Sequence, residues 1–238
     1  MIQVQGYLEE IQQAAYENRK LLAVLIDPDK FEEGKASYFF QQLPPNTSHI
    51  FVGGSTVEEG RTCEVVKAVK TFCDLPVILF PGDHNQISSH ADALLFLSLI
   101  SGRNPEFLIE QQVRSVERIR KTELEIIPTG YILIDGGRET SVQKVSNTIP
   151  LAQKDIQQIV NTALAGQYSG KELIYLEAGS GAKMPVSPEI IKAVKKDLNI
   201  PVIVGGGIRS TEQLQLSYEA GADLVVIGTA FENGSFRD

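Results

Sequence analysis

Apolar residues in this chain come in short unbroken runs rather than in strict alternation. Eight such runs recur, at 21–26, 50–52, 76–80, 93–97, 131–134, 173–176, 201–204 and 223–227, and each ends in small or polar residues. Continuous runs of this length, rich in Val, Ile and Leu, suit parallel strands buried on both faces. Segments of helical period separate most of them. Residues 1–20 read as a short amphipathic helix with Leu8, Ile11 and Ala15 on one face. Residues 56–73 place Val66, Val69 and Cys73 together, and Asn104-Pro105-Glu106 offers a cap, a first-position proline and a first-turn acid to a helix reaching Lys121. Residues 155–164 and 188–198 repeat the pattern. Ser210-Thr211-Glu212-Gln213 reads as a capping box, with Gly221 as the stop.

Strand and helix alternating eight times predict a (β/α)8 TIM barrel, one α/β domain spanning 1–238; an open doubly wound sheet is the competing architecture. The barrel is expected to be a modified one. Residues 81–92 are too short and polar for a full covering helix after strand 3. Only 232–238 follow the last strand, so the eighth helix is missing or cut short.

Composition narrows the function. The net charge of −8 comes with no basic stripe, which argues against nucleic acid. An acidic chain that binds an anion must use local groups such as backbone N–H or a metal. No stretch approaches the ~20 apolar residues of a membrane span, and no signal-like start is visible, so a cytoplasmic enzyme without stable membrane insertion is expected. Cys63 and Cys73 stand ten residues apart in a helical stretch, roughly 15 Å, too far for a disulfide.

Candidate chemistry gathers at the ends of the runs. Val204-Gly205-Gly206-Gly207-Ile208-Arg209-Ser210 and Ile227-Gly228-Thr229-Ala230 follow strands seven and eight, where barrels commonly hold phosphate on backbone N–H groups. Tyr175-Leu176-Glu177-Ala178-Gly179-Ser180-Gly181 ends strand six. Tyr175 and Glu177 share strand parity, so both side chains point one way and Leu176 the other. If that side is the barrel mouth, Glu177 can act as a general base and the small residues after it form a second phosphate loop. Pro28 keeps Asp27 extended at the tip of strand one, where a hard oxygen ligand suits Mg2+. Asp29 is read instead as the cap of a helix starting near Lys30. After Gly53-Gly54, Ser55 or Thr56 is a helix cap, or else the glycines let a phosphate or metal approach and Ser55 is a hydroxyl ligand compatible with Mg2+. His49, His84 and His90 lack metal-like spacing and read as solvated loop residues. Asp135-Gly136-Gly137-Arg138 reads as a turn whose arginine could touch an anion.

Taken together, LIDPDK at 25–30, FVGGST at 51–56, YLEAGSG at 175–181, VGGGIRS at 204–210 and VIGTA at 226–230 resemble the geranylgeranylglyceryl phosphate synthase family, which includes the bacterial heptaprenylglyceryl phosphate synthases. The resemblance runs in order from strand one to strand eight. It implies Mg2+-dependent transfer of a prenyl group from a polyprenyl diphosphate to the 3-hydroxyl of sn-glycerol 1-phosphate, and a homo-oligomer, dimer or hexamer. Carried onto these positions, Asp27 and Ser55 would hold the metal and diphosphate. Tyr175, Leu176, Glu177, Ala178, Gly179, Ser180 and Gly181, with Gly206, Gly207, Gly228 and Thr229, would hold glycerol phosphate. Glu177 would be the base. The heptaprenyl branch carries a lysine two residues before the metal aspartate; Leu25 stands there, so the chain is closer to the geranylgeranyl type. The apolar fourth strand could wall a prenyl groove or serve as core. Two other readings compete. A sugar-phosphate isomerase or aldolase would need a further acid/base or a lysine such as Lys183. A non-catalytic phosphate- or flavin-binding module would leave Asp27 and Glu177 without a task.

Overall fold

Unbroken apolar runs need cover on both faces, and a closed sheet wrapped in helices supplies it. The computed structural model describes residues 6–237. Its strands are β1 (Leu21–Ile26), β2 (Thr47–Val52), β3 (Val77–Leu79), β4 (Ala93–Leu99), β5 (Glu125–Leu133), β6 (Leu173–Glu177), β7 (Val202–Gly205) and β8 (Leu224–Ile227). Each pairs in parallel with the next, and β8 returns to β1 with Leu21 opposite Leu224. That last ladder rules out the open sheet. Alternate residues separate into two cores. Leu21, Ala23, Phe51, Leu95, Ile127, Leu173, Tyr175 and Val226 fill the barrel. Leu22, Val24, Val52, Leu176 and Val204 face the helices.

The helices are α1 (Tyr7–Tyr16), α2 (Ala36–Gln41), α3 (Arg61–Phe72), α4 (Gln111–Ile119), α5 (Ser141–Ser146), α6 (Ile156–Tyr168), α7 (Pro188–Asp197), α8 (Thr211–Glu219) and α9 (Thr229–Glu232). Ser210 caps α8 and Ser187 caps α7, each accepting from the backbone N–H three residues on. Gly221 follows α8 at φ 113°. As expected, no helix lies between β3 and β4 among the described residues, and only the single turn of α9 follows β8. α1 closes the amino end of the barrel. Ile11 and Ala14, rather than Ala15, are its buried residues, and Glu125 accepts the N–H groups of Tyr7 and Leu8 at 2.5 and 3.0 Å.

Several boundaries differ from the expectation. α3 starts at Arg61 behind Gly60 (φ 88°), not at 56, so neither Ser55 nor Thr56 is its cap. No helix starts at Lys30; a 3₁₀ turn at Glu33–Lys35 precedes α2, and the Asp29 carboxylate accepts Glu58 N–H across the mouth instead. β5 begins at Glu125, six residues before the apolar run, because Pro128 and Gly130 interrupt the pattern without breaking the strand. Gly130 leaves space for Ile100 and Ile174, whose Cδ1 atoms both lie 2.9 Å from where its Cβ would be. A π-helical turn, Glu106–Glu110, leads into α4. Asp223 lies just outside β8, where its buried carboxylate accepts Val202 N–H and Lys195 Nζ.

Candidate active site

The carboxyl ends of the strands surround a cleft of about 1270 Å³, bordered by Asp27, Ser55, Glu177, Gly206, Thr229 and Glu232. β6 sets its floor. Because Leu173 and Tyr175 fill the barrel, parity sends Glu177 inward at the strand tip, 6% exposed. Leu176 faces the helices, so only its backbone is near the mouth. Burial pushes the Glu177 carboxyl up to about 7, against the Gly179 N–H that donates to Oε1 at 2.6 Å and the Tyr175 hydroxyl beside it. That hydroxyl lies close enough to favour the ionised acid, yet its orientation closes no hydrogen bond, and it is buried without a partner. Burial first, then the Glu177 charge, holds the Tyr175 and Tyr131 phenols well above their usual range. Phe80, Tyr131 and Tyr175 form a mutual aromatic cluster with centroids 5.1 to 6.0 Å apart, which fixes the floor.

The glycines after β7 have a role that spacing alone did not reveal. A Cβ at Gly205 would lie 2.4 Å from Tyr175 Oη and 2.8 Å from Glu177 Oε2, and one at Gly206 would lie 2.3 Å from Glu177 Oε1. They make room for the acid as well as exposing backbone. Gly206 and Gly207 also take positive φ, 81° and 75°, as do Gly179 and Gly181. Ser180, Gly181, Gly206, Gly207, Gly228 and Thr229 all border the cleft, and the Ser180 and Thr229 hydroxyls meet at 2.9 Å, joining the loops after β6 and β8. Ala178 and Gly179 lie behind this rim. Arg138 and Arg209 stand over the same side, donating to Gly181 O and Ala182 O. Lys183 is exposed and does not border the cleft.

The opposite side is built on β1 and β2. Asp27, its side chain 24% exposed, accepts Lys30 Nζ at 2.5 Å on Oδ2 and Asp29 N–H at 3.2 Å on Oδ1. Burial works against the Lys30 charge, but the Asp27 bond and the surrounding carboxylates outweigh it and raise its pKa. Glu232, on α9, accepts Asp27 N–H at 2.8 Å; burial raises its pKa against that bond and the Lys30 charge. Neither Lys30 nor Glu232 was singled out from the sequence. Gly54 passes so close that a Cβ there would lie 3.1 Å from Asp27 Oδ1, which brings the Ser55 loop to the Asp27 tip. Among the described residues no group of three or more His, Cys, Asp or Glu forms a metal cage. A carboxylate, a hydroxyl and open space for phosphate oxygens instead match what Mg2+ takes.

A second, largely apolar groove of about 810 Å³ opens beside the cleft and shares Ser55, Phe80, Tyr131 and Val142 with it. Leu94, Leu95, Phe96, Leu97 and Leu99 of β4 border it, so the fourth strand does wall a groove, with Phe107 and Ser115 opposite.

The histidines divide. His90 is exposed, but His84 shares Gln111 Oε1 with its own N–H and ring nitrogen, and His49 is fully buried in β2, contrary to the solvated reading. His49 Nδ1 meets Ser48 Oγ at 2.8 Å, Nε2 has no partner, and burial, with Arg19 nearby, lowers its pKa to about 4.

The model of the PcrB family matches residues 15–238. The chain is 58% identical over 230 residues to a geranylgeranylglyceryl phosphate synthase of Zunongwangia profunda, covering 97% of this chain and 98% of that one. It is 50% identical to one of Flavobacterium johnsoniae, covering 95% and 94%. The crystal structure of (S)-3-O-geranylgeranylglyceryl phosphate synthase from Thermoplasma acidophilum in complex with substrate sn-glycerol-1-phosphate superimposes with a TM-score of 0.87 at 34% identity, covering 95% and 92%.

Proposed function

The chain belongs to the PcrB family, and from that premise we propose that it joins a prenyl group, geranylgeranyl by its nearest resemblance, to the 3-hydroxyl of sn-glycerol 1-phosphate and releases diphosphate. One observation carries the reading: Glu177, a buried carboxyl with a pKa near 7, borders a polar cleft that shares Ser55, Phe80 and Tyr131 with an apolar groove. An enzyme that couples a small phosphate to a long hydrocarbon needs that junction.

The glycine-rich loops and the Ser180–Thr229 pair hold the glycerol phosphate, with Arg138 and Arg209 adding positive charge on that side. Its free hydroxyl is directed to Glu177, which removes the proton as oxygen bonds to the allylic carbon. The β4 groove keeps the tail dry and aligned. Asp27 and Ser55 would hold Mg2+, which when bound supplies positive charge to a departing diphosphate. Lys30 stands beside them as a further cation. Leu25 borders the cleft at the position where a lysine marks the heptaprenyl branch, which supports the shorter donor. We expect a cytoplasmic homo-oligomer, dimer or hexamer.

The test is a transfer assay with radiolabelled sn-glycerol 1-phosphate, Mg2+ and allylic diphosphates of several lengths. Extractable product, strongest with the geranylgeranyl donor and lost in Glu177→Gln, is expected. A folded protein that binds glycerol phosphate but yields no product with any donor would overturn the reading.

A further inference from the structure

The connection between β3 and β4 has no covering helix, and it grips the loop after β2 instead. Gln86, 2% exposed, lies in this connection. Its Nε2 donates to Gly54 O at 2.8 Å, and its Oε1 accepts Gly54 N–H at 3.2 Å. One amide side chain therefore satisfies both backbone polar groups of a single residue on the other loop. The loops also meet backbone to backbone: a Cβ at Gly53 would fall 1.8 Å from Phe80 O, and one at Gly82 2.2 Å from Gly54 O and 2.8 Å from Ser55 O. The two loops therefore pass in close backbone contact at these glycines. Gly54, the residue so gripped, faces Asp27 Oδ1 and directly precedes Ser55.

We propose that Gln86 is a positioning residue for the cation and diphosphate side of the cleft: it fixes Gly54 and Ser55 against Asp27 without touching either ligand. This rests on reading Asp27 and Ser55 as that site. The chemistry asks for glutamine. The Gly54 peptide groups present a donor and an acceptor, and only a side chain carrying both answers them. Methionine fills a similar volume with neither function, and an ionised glutamate can only accept. A buried group left unpaired relaxes toward water, and the loop bearing Ser55 moves with it.

The probe is Mn2+ with inorganic pyrophosphate, followed by electron paramagnetic resonance, beside calorimetric binding of sn-glycerol 1-phosphate. Wild-type protein is expected to bind Mn2+, and Asp27→Asn to lose it; no Mn2+ binding by wild type would overturn the site reading and this inference together. Given binding, Gln86→Met is expected to weaken Mn2+ affinity by about 10- to 100-fold, the usual effect of losing a residue that orients metal ligands. Its glycerol phosphate affinity should be unchanged. Gln86→Glu, which keeps the acceptor half, should lie between and approach wild type as acidification protonates it. Unchanged Mn2+ affinity in folded Gln86→Met, or parallel loss of both ligands in Met and Glu variants alike, would overturn the positioning role while leaving the site reading intact.

Discussion

Gly206 is the wall of the slot that holds Glu177: a Cβ there would fall 2.3 Å from Glu177 Oε1 and 2.5 Å from the Gly179 nitrogen that hydrogen-bonds it. Its φ of 81° adds strain for any other residue. Gly206→Ala is therefore expected to displace the carboxylate and lower kcat by about 10²-fold or more, the worth of a positioned general base. Steady-state kinetics beside circular dichroism check it; near-normal kcat in a folded variant would count against the slot.

As the proposed base, Glu177 must be ionised to act, and burial raises it to about 7. kcat/KM in the free enzyme should climb with pH through that value and fall away below it. The Tyr175 hydroxyl favours the ionised acid, so Tyr175→Phe should shift the acid limb upward. Rate profiles of both proteins decide this, and a limb that stays in place would remove Tyr175 from the account.

Glu177 also makes the fold lose stability as acid is neutralised. A carboxyl whose folded pKa lies above the unfolded 4.5 keeps its proton longer in the native state, so native protein binds more protons between about 4.5 and 7. Stability must fall as pH rises through that window. Glu177→Gln is expected to raise Tm above about pH 7 and to change it little below about pH 4.5. Thermal melts across pH measure the difference, and an equal change at both ends would contradict it.

His49 pulls the other way. Its folded pKa of about 4 lies below the usual 6.5, so the unfolded chain takes up the proton first on acidification. Stability on the order of 3 kcal/mol should drain away between those values. His49→Leu, lacking the titration, should move the midpoint of acid unfolding to lower pH. The two slopes oppose and largely cancel between about pH 4.5 and 6.5, so together they leave a shallow optimum in that mildly acidic range.

The barrel was legible because its strands are unbroken apolar runs, a signal that local sequence carries in full. The Tyr175–Glu177 pair was legible as a pair, since strand parity sends both side chains the same way, but that this way is inward comes from closure of the barrel. β5 was cut short because Pro128 and Gly130 look like breakers, though packing of Ile100 and Ile174 against Gly130 tolerates them. His49 was misread because it follows Thr47 and Ser48, which suggested a loop where the strand had already begun. Glu232 escaped notice because its meaning depends on closure: it reaches Asp27 N–H only once β8 lies beside β1, 205 positions away in sequence. Gln86 likewise gives no local sign, since its partner belongs to another loop.

With the barrel interior filled by side chains and α1 across its amino end, the cleft and groove at the carboxyl ends must serve both entry and exit. In the proposed reaction a hydrophilic phosphate and a greasy chain would enter by adjoining doors, and the finished ether-linked molecule, carrying both characters, would have to back out past each. That reading makes departure, rather than bond making, the expected bottleneck of the cycle. A first turnover should outpace those that follow, and detergent micelles that accept the hydrocarbon end should quicken the later ones while leaving the initial burst untouched.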